Sequence, residues 1–356
     1  MQAELLKEAR RQAEICNACR YCEGYCSVFP ALHRLRAFSD ADLMQFANLC
    51  HNCRGCFYAC QYTAPHEFDL NLPGILADLR QDSWEEFAWP QAPAKAFQRN
   101  GVLIALVTVL GFALLFVAAR FLGPAGGEGF YAVLSHTAMV AIFAPAFLFP
   151  LLSLGVSIRR YWGETGGGSV AFSDLKGALV SAAKMKNLAA GHGEGCNFED
   201  EDRFSHARRH AHHLVMYGFL LCFAATTSGT VMHYAFGLHA PYPLWSLPKL
   251  LGVTGGLMLT AGAFWMVRLK LRSARELGSA TAWGGEMAFV VLLGFVAGSG
   301  LALYLFGQTV AMPTLLALHL GAVLAFFLLT PFTKMAHGFY RMAALVREEN
   351  SKRSSS

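Results

Sequence analysis

Two stretches near the start of the chain decide its fold: CNACRYCEGYC over residues 16–26 and CHNCRGCFYAC over residues 50–60. Each has the spacing C-x2-C-x2-C-x3-C, with which ferredoxins hold [4Fe–4S] clusters, and in two-cluster ferredoxins the fourth cysteine of each run binds the other cluster. This rule predicts one cluster on Cys16, Cys19, Cys22 and Cys60, and a second on Cys50, Cys53, Cys56 and Cys26.

Other uses of these cysteines fit the pattern less well. A zinc site needs two separated cysteine pairs rather than four cysteines within eleven residues. A disulfide framework is typical of small secreted domains, and residues 1–30 contain no signal-peptide hydrophobic segment. Of the two remaining cysteines, Cys222 lies in an apolar run and is predicted to be a core residue. Cys196 lies in a polar loop, where it is either reactive or simply exposed.

The composition indicates two domains of different character. Only 15% of the 356 residues are charged and 54% are hydrophobic, whereas a soluble domain has about 25% charged residues. Residues 1–100 are mixed, with 10 Lys and Arg against 12 Asp and Glu, and the long apolar runs follow residue 100. We therefore expect an all-α protein. An α-helical ferredoxin-like domain (1–72) and a linker (73–100) precede a membrane domain (101–340) and a tail (341–356).

The region between the cysteine runs supports the all-α prediction. Apolar residues recur at helical spacing over residues 27–49, with no β-alternation. Ser39 is a candidate N-cap three residues before Asp42.

Six apolar stretches are long enough to cross a hydrocarbon core of about 30 Å. They cover residues 101–122, 131–155, 213–237, 247–268, 286–306 and 313–333. The loops 156–212, 268–285 and 334–356 are rich in Lys and Arg, whereas the loops 123–130, 238–246 and 307–312 contain none. By the positive-inside rule, both termini and the iron–sulfur domain are expected on the cytoplasmic side of the inner membrane.

Histidines within these spans point to a second cofactor. An ionisable residue at membrane depth is a functional candidate, and imidazoles from facing helices bind haem iron. His319 and His337 are eighteen residues apart, so on one continuous helix both would leave the same face roughly 27 Å apart. His233 and His319 are expected at one depth in the membrane, and His213 and His337 at another. These two pairs predict one or two b-type haems.

One of these pairings conflicts with helical geometry. On a straight helix, His213 and His233 lie about 200° apart, on opposite faces. The alternatives are that His212 is the ligand instead of His213, that the helix is kinked near residues 226–229, or that His136 replaces His233.

Three runs resemble one known family: Cys50–Pro73, Gly191–Leu214 and TPFTKMAHGFYR at residues 330–341. The chain is similar over nearly its whole length to the tricarballylate/citrate-utilisation electron-transfer proteins. The resemblance implies a membrane protein with iron–sulfur clusters and haem. Such a protein takes electrons from an FAD-dependent dehydrogenase that oxidises tricarballylate and passes them to the quinone pool. The His319–His337 spacing also resembles that of the haem-binding subunits of respiratory nitrate reductases.

The expected function is therefore electron transfer from a partner flavoprotein to quinone, since no GxGxxG run follows a strand here. One alternative is that the chain is the electron-transfer partner of a cobalamin-pathway flavoprotein. The other is a membrane redox scaffold or sensor without quinone reduction. Glu286, Lys334 and Arg341 are candidates for protonation or quinone contacts, with interfacial anchoring as the other interpretation. The loop 186–212, with its acidic run at 199–202, either docks the partner, closes over a cluster or is a solvated loop.

Overall fold

The computed structural model describes residues 3–122, 131, 133–189, 193–199 and 202–355, except for the side chains of residues 119–122 and 355. These residues form helices and no β-strand, and an isolated β-bridge joins Cys196 and Ser205. The all-α prediction is therefore confirmed for the described residues. The acidic run falls partly on residues 200–201, which lie outside them.

Five helices form the N-terminal domain: α1 (Ala3–Cys19), α2 (Val28–His33), α3 (Asp40–Leu49), α4 (Gly55–Tyr58) and α5 (Leu72–Phe87). The predicted N-cap at Ser39 is confirmed, because its hydroxyl accepts a hydrogen bond from the Asp42 N–H while the Asp42 side chain accepts one from the Ser39 N–H. This capping box satisfies two backbone donors that the helix leaves free.

Helix α5 lies in the segment that the sequence analysis assigned to a linker. It packs against α1 and α3, and Leu72, Leu76 and Leu79 are buried in the same core as Leu43 and Phe46. Their spacing of four and three residues makes one apolar helix face. The prolines at positions 65, 73, 90 and 93 favour a linker, although a short helix is expected near residues 74–88.

Eight further helices follow: α6 (Gln91–Leu122), α7 (His136–Glu164), α8 (Phe172–Lys184), α9 (Ala207–Phe236), α10 (Leu247–Leu271), α11 (Trp283–Phe306), α12 (Met312–Leu329) and α13 (Ala336–Ser355). Six of them, α6, α7, α9, α10, α11 and α12, are long and apolar enough to cross a membrane, the sixth span continuing beyond α12. The predicted number of spans is therefore confirmed among the described residues. A non-helical residue at Asn100 separates the first turns of α6 from its apolar part.

The predicted single helix through His319 and His337 is interrupted. Helix α12 ends at Leu329, a short 3₁₀ turn spans Thr330–Phe332, and Thr333 is extended before α13 begins. Proline has no N–H to donate and disfavours an α conformation in the residue before it, so Pro331 accounts for the break. The two histidines therefore do not share one continuous helix face.

Helix α13 covers the predicted tail and joins the two domains. It packs against α3, α7 and α8. The Gln45 amide of α3 donates to the Ala344 carbonyl of α13 at 2.8 Å, and the Tyr161 hydroxyl of α7 donates to the Gln45 amide oxygen at 2.8 Å. Trp84 of α5 stacks on Tyr340 of α13, with ring centroids 5.9 Å apart. These buried contacts attach the N-terminal domain firmly to the membrane helices.

Glycines let α9 and α10 approach closely. A Cβ on Gly255 would lie 2.8 Å from the Cys222 nitrogen, and one on Gly218 would lie 2.6 Å from the Leu259 nitrogen. Small residues at helix interfaces are how membrane helices bring their backbones together.

We expect Gly255→Ala to destabilise the helix bundle, since the added methyl must push backbone atoms apart; overpacking typically costs about 1–3 kcal/mol. Thermal unfolding of the purified protein in detergent measures the change. The matched control is Gly155→Ala in α7, where an added Cβ meets no described atom within 4 Å. Equal unfolding temperatures for the two variants would argue against the close contact.

Candidate functional site

Two adjoining pockets in the N-terminal domain collect the eight motif cysteines. The first cysteine pocket has a volume of ≈ 270 Å³, and the second is smaller, at ≈ 20 Å³. Cys16, Cys19, Cys22, Cys56 and Cys60 line the first, and Cys26, Cys50, Cys53 and Cys56 line the second. The pockets share Phe29, Cys56, Leu72 and Pro73, so they lie side by side.

The cysteines that line the two pockets form the same two sets of four that the crossover rule predicts, except that Cys56 lines both pockets. No group of three or more His, Cys, Asp or Glu in the described part of the chain is arranged around a single metal ion. A [4Fe–4S] cluster instead takes four thiolates spread around its own volume. The donor set therefore fits clusters better than a mononuclear ion, and the ligand assignment stays a prediction.

The thiols of the first pocket lie in a low-dielectric environment. Burial raises the pKa of the Cys16 and Cys22 thiols to about 12. Thiols with such values stay protonated at neutral pH unless a nearby cation favours the thiolate. Cys19 is exposed, whereas Cys50 and Cys53 are buried, so the first pocket is the one that faces the surface.

A segment from the membrane domain closes over the second pocket. We call residues 186–189, 193–199 and 202–205 the cover segment. Asn187 accepts hydrogen bonds from the N–H and hydroxyl of Ser27, at 3.1 and 2.7 Å, and the Asn197 N–H donates to the Cys53 carbonyl at 2.9 Å. Among the interpretations of loop 186–212, the structure favours closure, here over the second cysteine pocket.

Cys196 belongs to this cover segment, and the expectation that it is exposed is wrong. Its side chain is 1% exposed and packs with Cys53, Met185 and Leu188. The Cys196 thiol donates to the Leu188 carbonyl at 3.4 Å. The interaction with Cys196 also lowers the pKa of Cys53. The sequence signal, a lone cysteine among glycines, did not reveal this contact.

At the end of the bundle nearest the N-terminal domain, His212 of α9 faces His337 of α13. Their ring centroids are 5.8 Å apart and the rings are nearly perpendicular. The Nδ1 of His337 contacts the Lys334 carbonyl, which leaves Nε2 free. The buried Nδ1 of His212 has no hydrogen-bond partner. A ring N–H held by a backbone carbonyl is typical of metal-binding histidine, so His212 and His337 are the residues that would hold a haem iron at this end of the bundle.

His213 points elsewhere, so the pairing of His213 with His337 is not formed. Its Nε2 lies 3.2 Å from the Ala183 carbonyl of α8. Of the alternatives left open by the helical geometry, the structure brings His212 and not His213 to His337.

The far end of the bundle holds the remaining candidate histidines. His136 and His233 stack directly, with ring centroids 4.5 Å apart and an angle of 11°, and the His233 Nδ1 lies 3.0 Å from that of His239. His319 instead contacts the Ser299 hydroxyl at 3.1 Å. Rings in direct contact do not fit the two sides of one haem, and the predicted pairing of His233 with His319 is not formed.

The three charged candidates are engaged in structural contacts. Glu286 of α11 pairs with Lys270 of α10 at 2.5 Å and also with Lys334, whose ammonium lies 5.1 Å from the centre of the Trp84 ring. Arg341 donates to the Cys50 carbonyl at 2.6 Å and to the Asn48 carbonyl at 3.3 Å. Arg341 therefore reaches the second cysteine loop rather than a membrane cavity.

The comparisons with known proteins agree with this two-part organisation. A family model described as "Citrate utilization protein B" matches residues 92–356, and one described as "Citrate utilization protein B Fer4-like domain" matches residues 9–86. The Citrate utilization protein B of Escherichia coli is 38% identical over 351 residues, which cover 97% of this chain and 92% of the relative. No solved structure matches the chain.

The crossover of the fourth cysteines predicts which variants share a defect. We expect Cys26→Ser and Cys50→Ser to lose the same cluster signal in electron paramagnetic resonance, and Cys60→Ser and Cys16→Ser to lose the other. Each variant should retain about four of about eight irons per chain. Cys222→Ala, in the membrane bundle, serves as the control with both signals intact. If Cys26→Ser shares its lost signal with Cys16→Ser, the crossover is wrong.

Proposed function

Because the chain belongs to the Citrate utilization protein B family, we propose that it is a membrane electron-transfer protein that reoxidises the FAD of a partner flavoprotein and delivers the electrons to quinone. Family membership supports a role in citrate or tricarballylate utilisation. The Fer4-like domain supports iron–sulfur clusters as the first carriers, and tricarballylate is the substrate class that we propose for the partner. When bound, the clusters and haem would accept and donate single electrons.

One observation carries this proposal: a continuous line of chemistry-bearing residues leads from the surface to the membrane helices. The exposed Cys19 lies at the first pocket, which adjoins the second. His51 lines the second pocket, and its Nδ1 lies 2.8 Å from the Leu49 carbonyl. Arg341, on the carbonyl of Cys50, is one helical turn beyond His337.

The residues along this line have separate roles in the proposed relay. The exposed rim of the first pocket receives electrons from the flavoprotein. The cover segment keeps water away from the second pocket, and His212 with His337 holds one haem b at the near end of the bundle. We propose a single haem, because the stacked rings of His136 and His233 do not fit a second. The basic loops between spans support a cytoplasmic position of the N-terminal domain.

The haem proposal predicts a specific set of histidine variants. We expect His212→Ala and His337→Ala to lose the b-type α band in the dithionite-reduced spectrum, because each removes one of the two imidazoles that would hold the haem iron. His213→Ala is the matched control: its ring lies one residue away but contacts Ala183, so the band should remain. Loss of the band in His213→Ala with retention in His212→Ala would reject the pair.

The relay itself predicts that the reduced flavoprotein partner reduces the haem of the purified protein under anaerobic conditions. Cys50→Ser should block this reduction while dithionite still reduces the haem, since only the second pocket is altered. Absorbance at the α band measures both. Haem that stays oxidised after reduced partner is added to the wild-type protein would contradict the proposed function.

A further inference from the structure

Four arginines lie at the second cysteine loop: three from other parts of the chain donate to its backbone, and the fourth is within the loop. Arg80 of α5 and Arg341 of α13 both donate to the Cys50 carbonyl, at 2.8 and 2.6 Å. Arg208 of α9 donates to the Asn52 carbonyl at 2.7 Å. Arg54 lies inside the cysteine run itself and donates to the Phe198 carbonyl at 3.0 Å. We call these residues the arginine cage.

Two members of the cage are buried and two are half-buried. Arg54 is 3% exposed and Arg80 is 5% exposed, while Arg208 and Arg341 are half-buried. The guanidiniums of Arg54 and Arg208 both lie over the ring of Phe198, 4.8 and 4.1 Å from its centre. Arg80, Arg208 and Arg341 donate to uncharged carbonyl oxygens, which leave the positive charge of the guanidinium in place. Buried charges are screened less than exposed ones.

The first pocket has a different charge environment. Its lining contains cysteines together with apolar and uncharged polar residues, and no arginine or lysine. Arg20 and Glu23 in the first cysteine run are exposed and opposite in charge. Of the two pockets, the second is therefore the one with buried or half-buried guanidinium groups beside its cysteine loop.

We propose that the arginine cage makes the electron acceptor in the second pocket more readily reduced than that in the first. The inference rests on the proposed function, because it assumes a cluster in each pocket. One electron leaves the cluster of the first pocket, which is oxidised, and enters that of the second, which is reduced, with no proton transferred. Nearby positive charge favours the form that has gained the electron. The cage thereby directs electrons inward, from the exposed pocket to the membrane side.

The size of the effect follows from Coulomb's law. A unit charge roughly 10 Å from the acceptor, at an effective dielectric constant of about 20, changes a one-electron equilibrium on the order of tenfold. For one electron, tenfold equals about 59 mV. Removal of a single cage charge should therefore be measurable.

The test is a redox titration of the purified protein followed by electron paramagnetic resonance, with each signal assigned through Cys16→Ser and Cys50→Ser. In the wild-type protein, we expect the second cluster to be reduced at the higher potential. Arg208→Gln should lower that potential by about 59 mV, which corresponds to a tenfold change in the equilibrium constant. Arg208→Lys keeps the charge and should retain the wild-type potential. A purely structural role would affect Gln and Lys variants alike.

Arg10→Gln is the matched control, because Arg10 also donates to a backbone carbonyl of the N-terminal domain, that of Phe38 at 2.9 Å. Neither potential should change in this variant. If Arg208→Gln loses its cluster, Arg341→Gln takes its place. Equal potentials in the wild-type protein, a higher potential at the first cluster, or an unshifted potential in the Gln variant would overturn the inference. Absence of clusters from the wild-type protein would instead reject the proposed function.

Discussion

The carbonyl of Cys50 is the point at which the two domains are tied together. It ends α3, where the helix leaves unpaired carbonyls and a partial negative charge. Arg80 from the same domain and Arg341 from α13 both donate to it. A buried carbonyl left without donors costs about 1–3 kcal/mol, so these contacts fix the second cysteine loop against the membrane helices. The positions of the cover segment and of His337 depend on the same junction.

This junction explains why the two pockets differ although their cysteine spacing is the same. The first is built from residues 15–73 alone, and its rim reaches the surface. The second is completed by Asn187 of the cover segment and surrounded by guanidiniums from α5, α9 and α13. One local motif thus yields two environments, because long-range contacts rather than the motif decide burial and charge. Such an asymmetric pair suits a carrier with a distinct entrance and exit.

Features that depend on a local sequence pattern were predicted correctly. Predictions were wrong where contacts between distant parts of the chain determine the position or burial of a residue. The number of spans, the all-α class and the Ser39 cap follow from periodicity and capping chemistry that lie within short windows. The burial of Cys196 depends on Cys53, far away in the chain, so its polar neighbours misled the prediction. The break near Pro331 was readable in principle, but the histidine spacing suggested a continuous helix. Whether His212 or His213 faces His337 could be decided only from the position of α8, because the Ala183 carbonyl of α8 contacts His213.

The separation of 291 residues between Cys50 and Arg341 has a consequence for biogenesis. Synthesis delivers all eight motif cysteines before the first membrane helix, yet α13 is the last helix described. The first pocket has its full lining as soon as residue 73 has folded, whereas the second lacks Arg208, Arg341 and its cover until the helix bundle is inserted. The linings of the two pockets are therefore completed at different times, the second only once the helices that carry Arg208 and Arg341 have folded against it.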